Sequence, residues 1–369
     1  MSTAFRSITG RARAPDRVCA SSSDFKAPAP TTALTKPASA ESAARVRYRL
    51  TADGLPMEGR FKSTPVVGDI DKDGFIDVAA HIRLAKGAQV WLGSGAGTWR
   101  NSSKGLAMDT SCGGGLQLAD VNGDGNLDLV VADHCSGVYV YLGDGKGNWQ
   151  MVTEKLESAL ARTTAAEDGE SNYYSGKEAA AVGDINADGF MDLIACASDR
   201  GGFTAYLGDG TGRNWKEIEI SGLPAPGREE EGDVEGTGWC NDMHLVDMNG
   251  DGRLDVLSGY YTGPRVWRGD GKGHFESYST GLTRSRLGGV YRKTAIGDIN
   301  GDGRPDLAVA NVVNGVEAYL QSADGTWTGP IDVMPELKGG ATAVALGDMD
   351  GDGKLDAVIG GQLARRGEG

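Results

Sequence analysis

The sequence predicts an all-β fold, a six-bladed β-propeller with seven blades as the alternative, built from four-stranded antiparallel blades with Asp-rich loops. Three observations predict it. A motif Asp-x-Asp/Asn-x-Asp-Gly-x-x-Asp begins at Asp69, Asp120, Asp184, Asp247, Asp298 and Asp348. Successive copies lie 51, 64, 63, 51 and 50 residues apart, and a period of about 50 residues marks a propeller or solenoid. Each period holds four short apolar runs between Gly, Asp and Asn turns, the pattern of a four-stranded unit.

The runs keep one order. A short apolar segment comes first, as in Leu116-Gln117-Leu118 or Ala179-Ala180-Ala181-Val182. The Asp loop follows, then an unbroken apolar run such as Leu129-Val130-Val131-Ala132 or Leu307-Ala308-Val309-Ala310. Its lack of polar alternation suits a strand covered on both faces by neighbouring blades. The third run ends in a Gly-rich turn, as in Val138-Tyr139-Val140-Tyr141-Leu142 before Gly143-Asp144-Gly145. The fourth opens on an aromatic residue, Trp99, Trp149, Trp215, Phe275 or Trp327, read as blade packing. It ends in Gly-Leu at Gly105-Leu106, Gly222-Leu223 and Gly281-Leu282.

Residues 1–44 are rich in Ser, Ala, Thr, Pro and Arg, which reads as a disordered leader or linker. They lack the apolar run of about 7–15 residues that a secretion signal needs. Residues 45–369 form the repeat domain. Arg45-Val46-Arg47-Tyr48-Arg49-Leu50, followed by Gly54-Leu55-Pro56, matches only the fourth strand of a unit. The last residues, Arg366 to Gly369, align with the end of a third strand. The N-terminal strand is therefore expected to complete the last blade and close the ring, covering both open edges.

The formal charge of −14 excludes the basic footprint of nucleic-acid binding. No stretch approaches the roughly 18 apolar residues of a membrane helix. Much of the acidity sits in the six loops. Their side-chain positions are Asp69, Asp71, Asp73 and Asp77; Asp120, Asn122, Asp124 and Asp128; and Asp184, Asn186, Asp188 and Asp192. The other three loops supply Asp247, Asn249, Asp251 and Asp255; Asp298, Asn300, Asp302 and Asp306; and Asp348, Asp350, Asp352 and Asp356. Backbone carbonyls would come from Phe75, Asn126, Phe190, Arg253, Arg304 and Lys354. Ca²⁺ takes six to eight oxygen ligands, whereas Mg²⁺ keeps its waters in a smaller shell, so a carboxylate cage of this kind favours calcium. An EF-hand would need a Glu at the twelfth position, where this chain has Ala80, Val131, Ala195, Ser258, Val309 and Ile359. Metal-free Asx turns are the plainer reading of a single loop. Six copies with 20 Asp among 24 positions would repel one another without a counter-ion. About one Ca²⁺ per loop, up to six, is expected.

These loops, each followed by strands such as Asp-Leu-x-Val-Ala, resemble the FG-GAP/VCBS repeats of integrin α-subunit-type propellers over roughly residues 45–369. The resemblance implies calcium at the Asp and Asn positions above, an extracytoplasmic setting (secreted or cell surface), and a role in adhesion or ligand binding. The Phe-Gly and Gly-Ala-Pro signatures of integrin repeats are largely missing, so no ligand-recognition residue carries over.

A partner is expected on the face opposite the loops. There the sequence places Tyr173, Tyr174, Trp239, Asn241, Asp242, Tyr260, Tyr261, Tyr291 and Arg292. Aromatics beside Asp, Asn and Arg suit a glycan or an extracellular protein; for any one of them loop packing is the plainer role. Cys112 and Cys135 fall almost opposite each other across a hairpin, which makes a disulfide geometrically reasonable. Cys196 and Cys240 fall on successive blades, and their pairing is left open. The four His share no repeat position, and no catalytic set is assigned. The expected function is thus a calcium-binding module for a glycan or protein. A polysaccharide hydrolase or lyase, or a structural assembly subunit, is the alternative.

Overall fold

The structure, a computed structural model, describes residues 8–9, 49–50, 52–56, 58–61, 64–83, 87–106, 112–156, 176–197, 202–224, 239–285, 290–333 and 337–365. All regular elements among them are strands. After the short pair β1 (Ile8–Thr9) and β2 (Arg49–Leu50), five four-stranded antiparallel meanders follow. The first is β3 (Val66–Gly68), β4 (Asp77–Ile82), β5 (Gly87–Gly93) and β6 (Trp99–Asn101). The second is β7 (Leu116–Ala119), β8 (Asp128–Asp133), β9 (Gly137–Gly143) and β10 (Trp149–Leu156). The third is β11 (Lys177–Gly183), β12 (Asp192–Ala197), β13 (Phe203–Gly208) and β14 (Trp215–Ile218). The fourth is β15 (Cys240–Val246), β16 (Asp255–Tyr260), β17 (Gly263–Gly269) and β18 (Phe275–Ser277). The fifth is β19 (Tyr291–Gly297), β20 (Asp306–Asn311), β21 (Gly315–Gln321) and β22 (Trp327–Asp332). A final hairpin pairs β23 (Leu337–Gly347) with β24 (Asp356–Arg365).

The first strands of successive blades are neighbours, as around a propeller axis. The second strands are the most deeply enclosed: every residue of β8, β12, β16 and β20 is buried. That is why their sequences are apolar without alternation. Side chains such as Leu129, Leu193, Leu257 and Leu307 have no exposed surface, and burying each stabilises the fold by about 1.5–3 kcal/mol. Between the third and fourth blades Phe203 meets Tyr260 and Trp267 edge-on, at 6.3 Å and 5.3 Å between ring centroids.

The Gly-Leu endings have a physical cause. A Cβ at Gly105 would stand 1.8 Å from the carbonyl oxygen of Trp149, and one at Gly222 1.7 Å from that of Phe275. Both glycines also have positive φ, so only Gly permits the close approach of one blade's exit to the next blade's fourth strand. Asp53 and Gly54 sit on Trp99 of the first blade in the same way. The Trp99 N–H donates to the Asp53 carbonyl at 2.8 Å, and a Gly54 Cβ would fall 1.8 Å from the Trp99 oxygen. Leu55 is buried there.

Two expectations are corrected. The propeller has five four-stranded blades, not six or seven. The sixth Asp loop is present, but it joins only the long hairpin β23–β24, much of which is exposed. The repeat count reads loops, and a loop needs only the two strands it joins. The closing strand also differs: β2 pairs with β1, and no pairing of β2 with β24 occurs among the described residues. The leader assigned to residues 1–44 lies outside the described residues except for Ile8–Thr9.

Candidate metal loops and the opposite face

Each Asp loop connects the first strand of a sheet to the second, and all six follow one hydrogen-bond plan. The first Asp accepts the N–H of the Gly at position six, at 2.8–3.0 Å: Asp69 from Gly74, Asp120 from Gly125, Asp184 from Gly189, Asp247 from Gly252, Asp298 from Gly303 and Asp348 from Gly353. The Asp at position five accepts the N–H two residues on, as Asp124 does from Asn126 and Asp188 from Phe190. Where position three is Asn, its amide donates to that same carboxylate, as Asn122 does to Asp124 at 3.0 Å and Asn300 to Asp302 at 2.9 Å.

The ninth residue ties the loop to the third strand. Asp77 accepts from the N–H groups of Ile70 and Gly93, both at 2.7 Å. Asp128 does so from Val121 and Gly143, Asp192 from Ile185 and Gly208, Asp255 from Met248 and Gly269, and Asp306 from Ile299 and Gln321. These five carboxylates have no exposed surface. Burial pushes Asp77, Asp128 and Asp192 up to about 6 and Asp255 to about 7, against the pull of the backbone N–H groups; neighbouring loop carboxylates add to the rise. Burial, then the charge of Asp73, raises Asp71 as well. Three loops take a partial counter-charge from their own seventh residue, Arg253 beside Asp251, Arg304 beside Asp302 and Lys354 beside Asp352; a divalent cation would supply the rest.

Two loops carry a cluster of three carboxylates. Oxygens of Asp69, Asp71 and Asp77 lie within 4.8 Å of one another, as do those of Asp348, Asp350 and Asp356. In the first loop Oδ1 of Asp69 and Oδ1 of Asp71 are buried and accept no hydrogen bond. Buried oxygens of that kind are costly unless something satisfies them. An all-oxygen set with two orphaned carboxylate atoms fits a hard cation. The other four loops have Asn in place of the second Asp, so they bring three carboxylates and one amide. Phe75 and Phe190, whose carbonyls were expected to contribute, leave their rings 45% and 47% exposed; each covers the turn after the third strand, where a Cβ at Gly95 or Gly210 would strike it.

The starts of the first strands and the turns from second to third strands form the opposite face. Trp239, just before β15, stacks on Tyr261 with ring centroids 5.4 Å apart and planes 19° apart. Arg292 of β19 lies over the other partner, its Cζ 4.5 Å from the Tyr261 centroid. On the far side His134 approaches Trp239 at 5.3 Å, and its Nδ1 is 2.8 Å from Glu178 of β11. The column thus joins residues of four blades. Asn241 donates to the Tyr291 carbonyl at 3.3 Å. Asp242 is committed to Thr294, Lys293 and His244. Tyr260 and Tyr291 are buried in the blades. Tyr173 and Tyr174 lie outside the described residues.

The sequence places Asp133-His134-Cys135 on this face, but neither His134 nor Glu178 is among the candidate ligand residues. The available signal was positional: His134 follows a second strand as Tyr261 does, and Glu178 starts a first strand as Asn241 does. The structure joins Cys112 to Cys135 and Cys196 to Cys240 as disulfides. The second bond crosses from β12 to the first residue of β15 in the next blade, a distance no local spacing reveals.

The family model described as FG-GAP-like repeat matches residues 69–131, 120–195, 247–309 and 298–359, together about two thirds of the chain. No curated protein sequence matches. Among solved structures, an Agrocybe aegerita lectin described for specific recognition of non-reducing terminal N-acetylglucosamine is similar at TM-score 0.54 and 17% identity, over 86% of this chain and 80% of that one. The V. cholerae biofilm matrix protein Bap1 aligns at TM-score 0.44 and 18% identity, over 80% of this chain and 43% of its own. Rhamnogalacturonan lyase PL11 of Bacillus licheniformis aligns at TM-score 0.44 and 14% identity, over 83% of this chain and 56% of its own.

Proposed function

The chain belongs to the FG-GAP-like repeat family, and from that premise we propose that it is a calcium-stabilised, extracellular binding module that takes a glycan or protein ligand on the face opposite its Asp loops. The observation that carries this reading is the division of labour between the two faces. One face gathers 20 loop Asp residues into turns, the first of which holds two orphaned carboxylate oxygens. The other presents a half-buried row of Trp, Tyr and Arg, the residue types that dominate binding hot spots.

Calcium would sit in the loops, up to one in each, held by their Asp and Asn side chains and the carbonyl at position seven. Its contribution is to stability, because a cation bound only by the folded loop favours the folded state by mass action. Loops of this kind suit the millimolar calcium found outside cells, and the two disulfides favour an oxidising compartment. No helix among the described residues is long and apolar enough to cross a membrane. The Agrocybe aegerita likeness supports the fold alone, so the ligand-binding reading rests on the residues of this chain.

Two measurements test the proposal. Thermal melting in millimolar calcium and in excess chelator should differ by many degrees; superimposable melts would remove the calcium. A glycan array and a panel of immobilised extracellular proteins, both probed with calcium present, should give saturable binding to one class. Silence on both would remove the binding module.

A further inference from the structure

The column His134–Trp239–Tyr261–Arg292 uses ring faces against one another, which leaves its edges for a ligand. Among the described residues, the Trp239 indole N–H, the Tyr261 hydroxyl, and Nε and Nη2 of Arg292 have no hydrogen-bond partner. Only Nη1 of Arg292 is engaged, by the carbonyl of Tyr291 at 3.1 Å. Every one of these groups is a donor, and one carries a full positive charge. A guanidinium held flat on an aromatic ring keeps its fork rigid and loses little entropy on binding an oxyanion. Half-burial strengthens that charge–charge attraction relative to open solvent.

The opposing charge beside the column is Glu178, which is buried and faces His134 Nδ1 at 2.8 Å; the rest of the net charge of −14 lies mostly elsewhere. Much of it sits in the loops at the far ends of the first strands, where any bound calcium offsets it further. Screening over about 8 Å at physiological salt uncouples the two faces.

The column is also covalently held. Cys135 follows His134 directly and is bonded to Cys112; Cys240 follows Trp239 directly and is bonded to Cys196. Both disulfides therefore pin a residue adjacent to a member of the column. A site fixed before binding avoids the ordering cost of assembling it.

Resting on the binding-module reading above, we infer that this edge is the recognition site for an acidic glycan, whose carboxylate or sulfate is received by Arg292 with help from the Trp239 N–H and the Tyr261 hydroxyl.

The test is calorimetric titration of the full chain, in millimolar calcium, with hyaluronan oligosaccharides (carboxylate only), dextran sulfate (sulfate only), neutral dextran and polyglutamate. The expected result is saturable binding of hyaluronan, dextran sulfate or both, with neutral dextran silent. Arg292→Gln should weaken it at least tenfold, and Tyr261→Phe a few fold. Both variants should retain the wild-type melting shift with calcium, which shows that they fold. Binding of hyaluronan alone assigns the carboxylate, and of dextran sulfate alone the sulfate. Acidic glycans bound equally well by Arg292→Gln would overturn the site. Equal binding of neutral dextran, or polyglutamate bound in preference to every glycan, would overturn the acidic-glycan assignment while leaving a binding module in place. Silence toward all four probes would also overturn it, and the wider arrays would then decide the broader reading separately.

Discussion

Asp242 of β15 accepts both the backbone N–H and the hydroxyl of Thr294 of β19, each at 2.9 Å. The same carboxylate is 3.5 Å from Lys293 and 3.2 Å from His244, so one side chain clasps the inner strands of two blades. Burial works against its charge, but Lys293, His244 and the Thr294 N–H outweigh burial and hold the carboxyl well below the usual carboxylate range. A carboxylate depressed on folding stabilises the protein above its unfolded value, near 3.9, and loses that contribution as pH falls through the folded value. Asp242→Asn should therefore cost about 2 kcal/mol at pH 7. The gap from wild type should narrow below about pH 4. Denaturant melts of both proteins at pH 7, 5 and 3 check this; a gap of the same size at pH 3 rules out the charged clasp.

The fourth position of each loop is left-handed. It is Gly at Gly123, Gly250, Gly301 and Gly351, but Lys72 and Ala187 hold φ of 61° and 58°. A side chain there costs about 1 kcal/mol relative to Gly. Ala187→Gly and Lys72→Gly should each stabilise by up to that amount, and Gly250→Ala should destabilise by a similar amount. The readout is urea unfolding at fixed free calcium. A destabilised Ala187→Gly would mean that chain entropy, and not local strain, governs this position.

Much of the fold was legible because its signals are local. The Asp motif fixes a turn, the apolar run after it fixes a buried strand, and the Gly-Leu ending marks a blade's exit. The blade total was not legible, because Asp348 to Asp356 predicts a loop whether two strands or four surround it. The column was only partly legible for a different reason. Trp239 and Tyr261 belong to one blade and Arg292 to the next, so their meeting depends on how blades sit side by side. His134 and Glu178 come from two further blades, and nothing near them in sequence points to Trp239. Tyr260 and Tyr291 look like their neighbours in the sequence, but strand alternation turns them inward.

The ninth loop residue offers a comparison internal to the protein. Asp128 receives N–H groups from its own loop and from the third strand, at 2.9 Å and 2.8 Å. Asp356 receives only the Met349 N–H, at 2.9 Å, because no third strand is described beside β24. An Asn at either site keeps one acceptor; at position 128 its NH₂ group would face the second donor, the Gly143 N–H, whereas at position 356 no second donor is described. Asp128→Asn should thus cost about 2 kcal/mol, since a buried N–H loses its partner. Asp356→Asn should cost under about 1 kcal/mol. Unfolding measured with chelator present separates this packing role from calcium binding; equal costs at the two sites would show that the third-strand bond contributes nothing.

Covalent stapling of the blades gives the last prediction. The two disulfides close loops with sequence separations of 23 and 44 residues, and the chain-entropy estimate assigns them about 3 and 4 kcal/mol respectively. Of the five cysteines, only Cys19 stands outside these bonds. Alkylation of the denatured, unreduced protein should therefore add one label by intact mass, and alkylation after reduction should add five. Cys196→Ala with Cys240→Ala should lower stability more than Cys112→Ala with Cys135→Ala, because it opens the longer loop and unlinks two blades. Three labels before reduction would mean that one bond does not form, and the double variant that leaves stability unchanged would identify which.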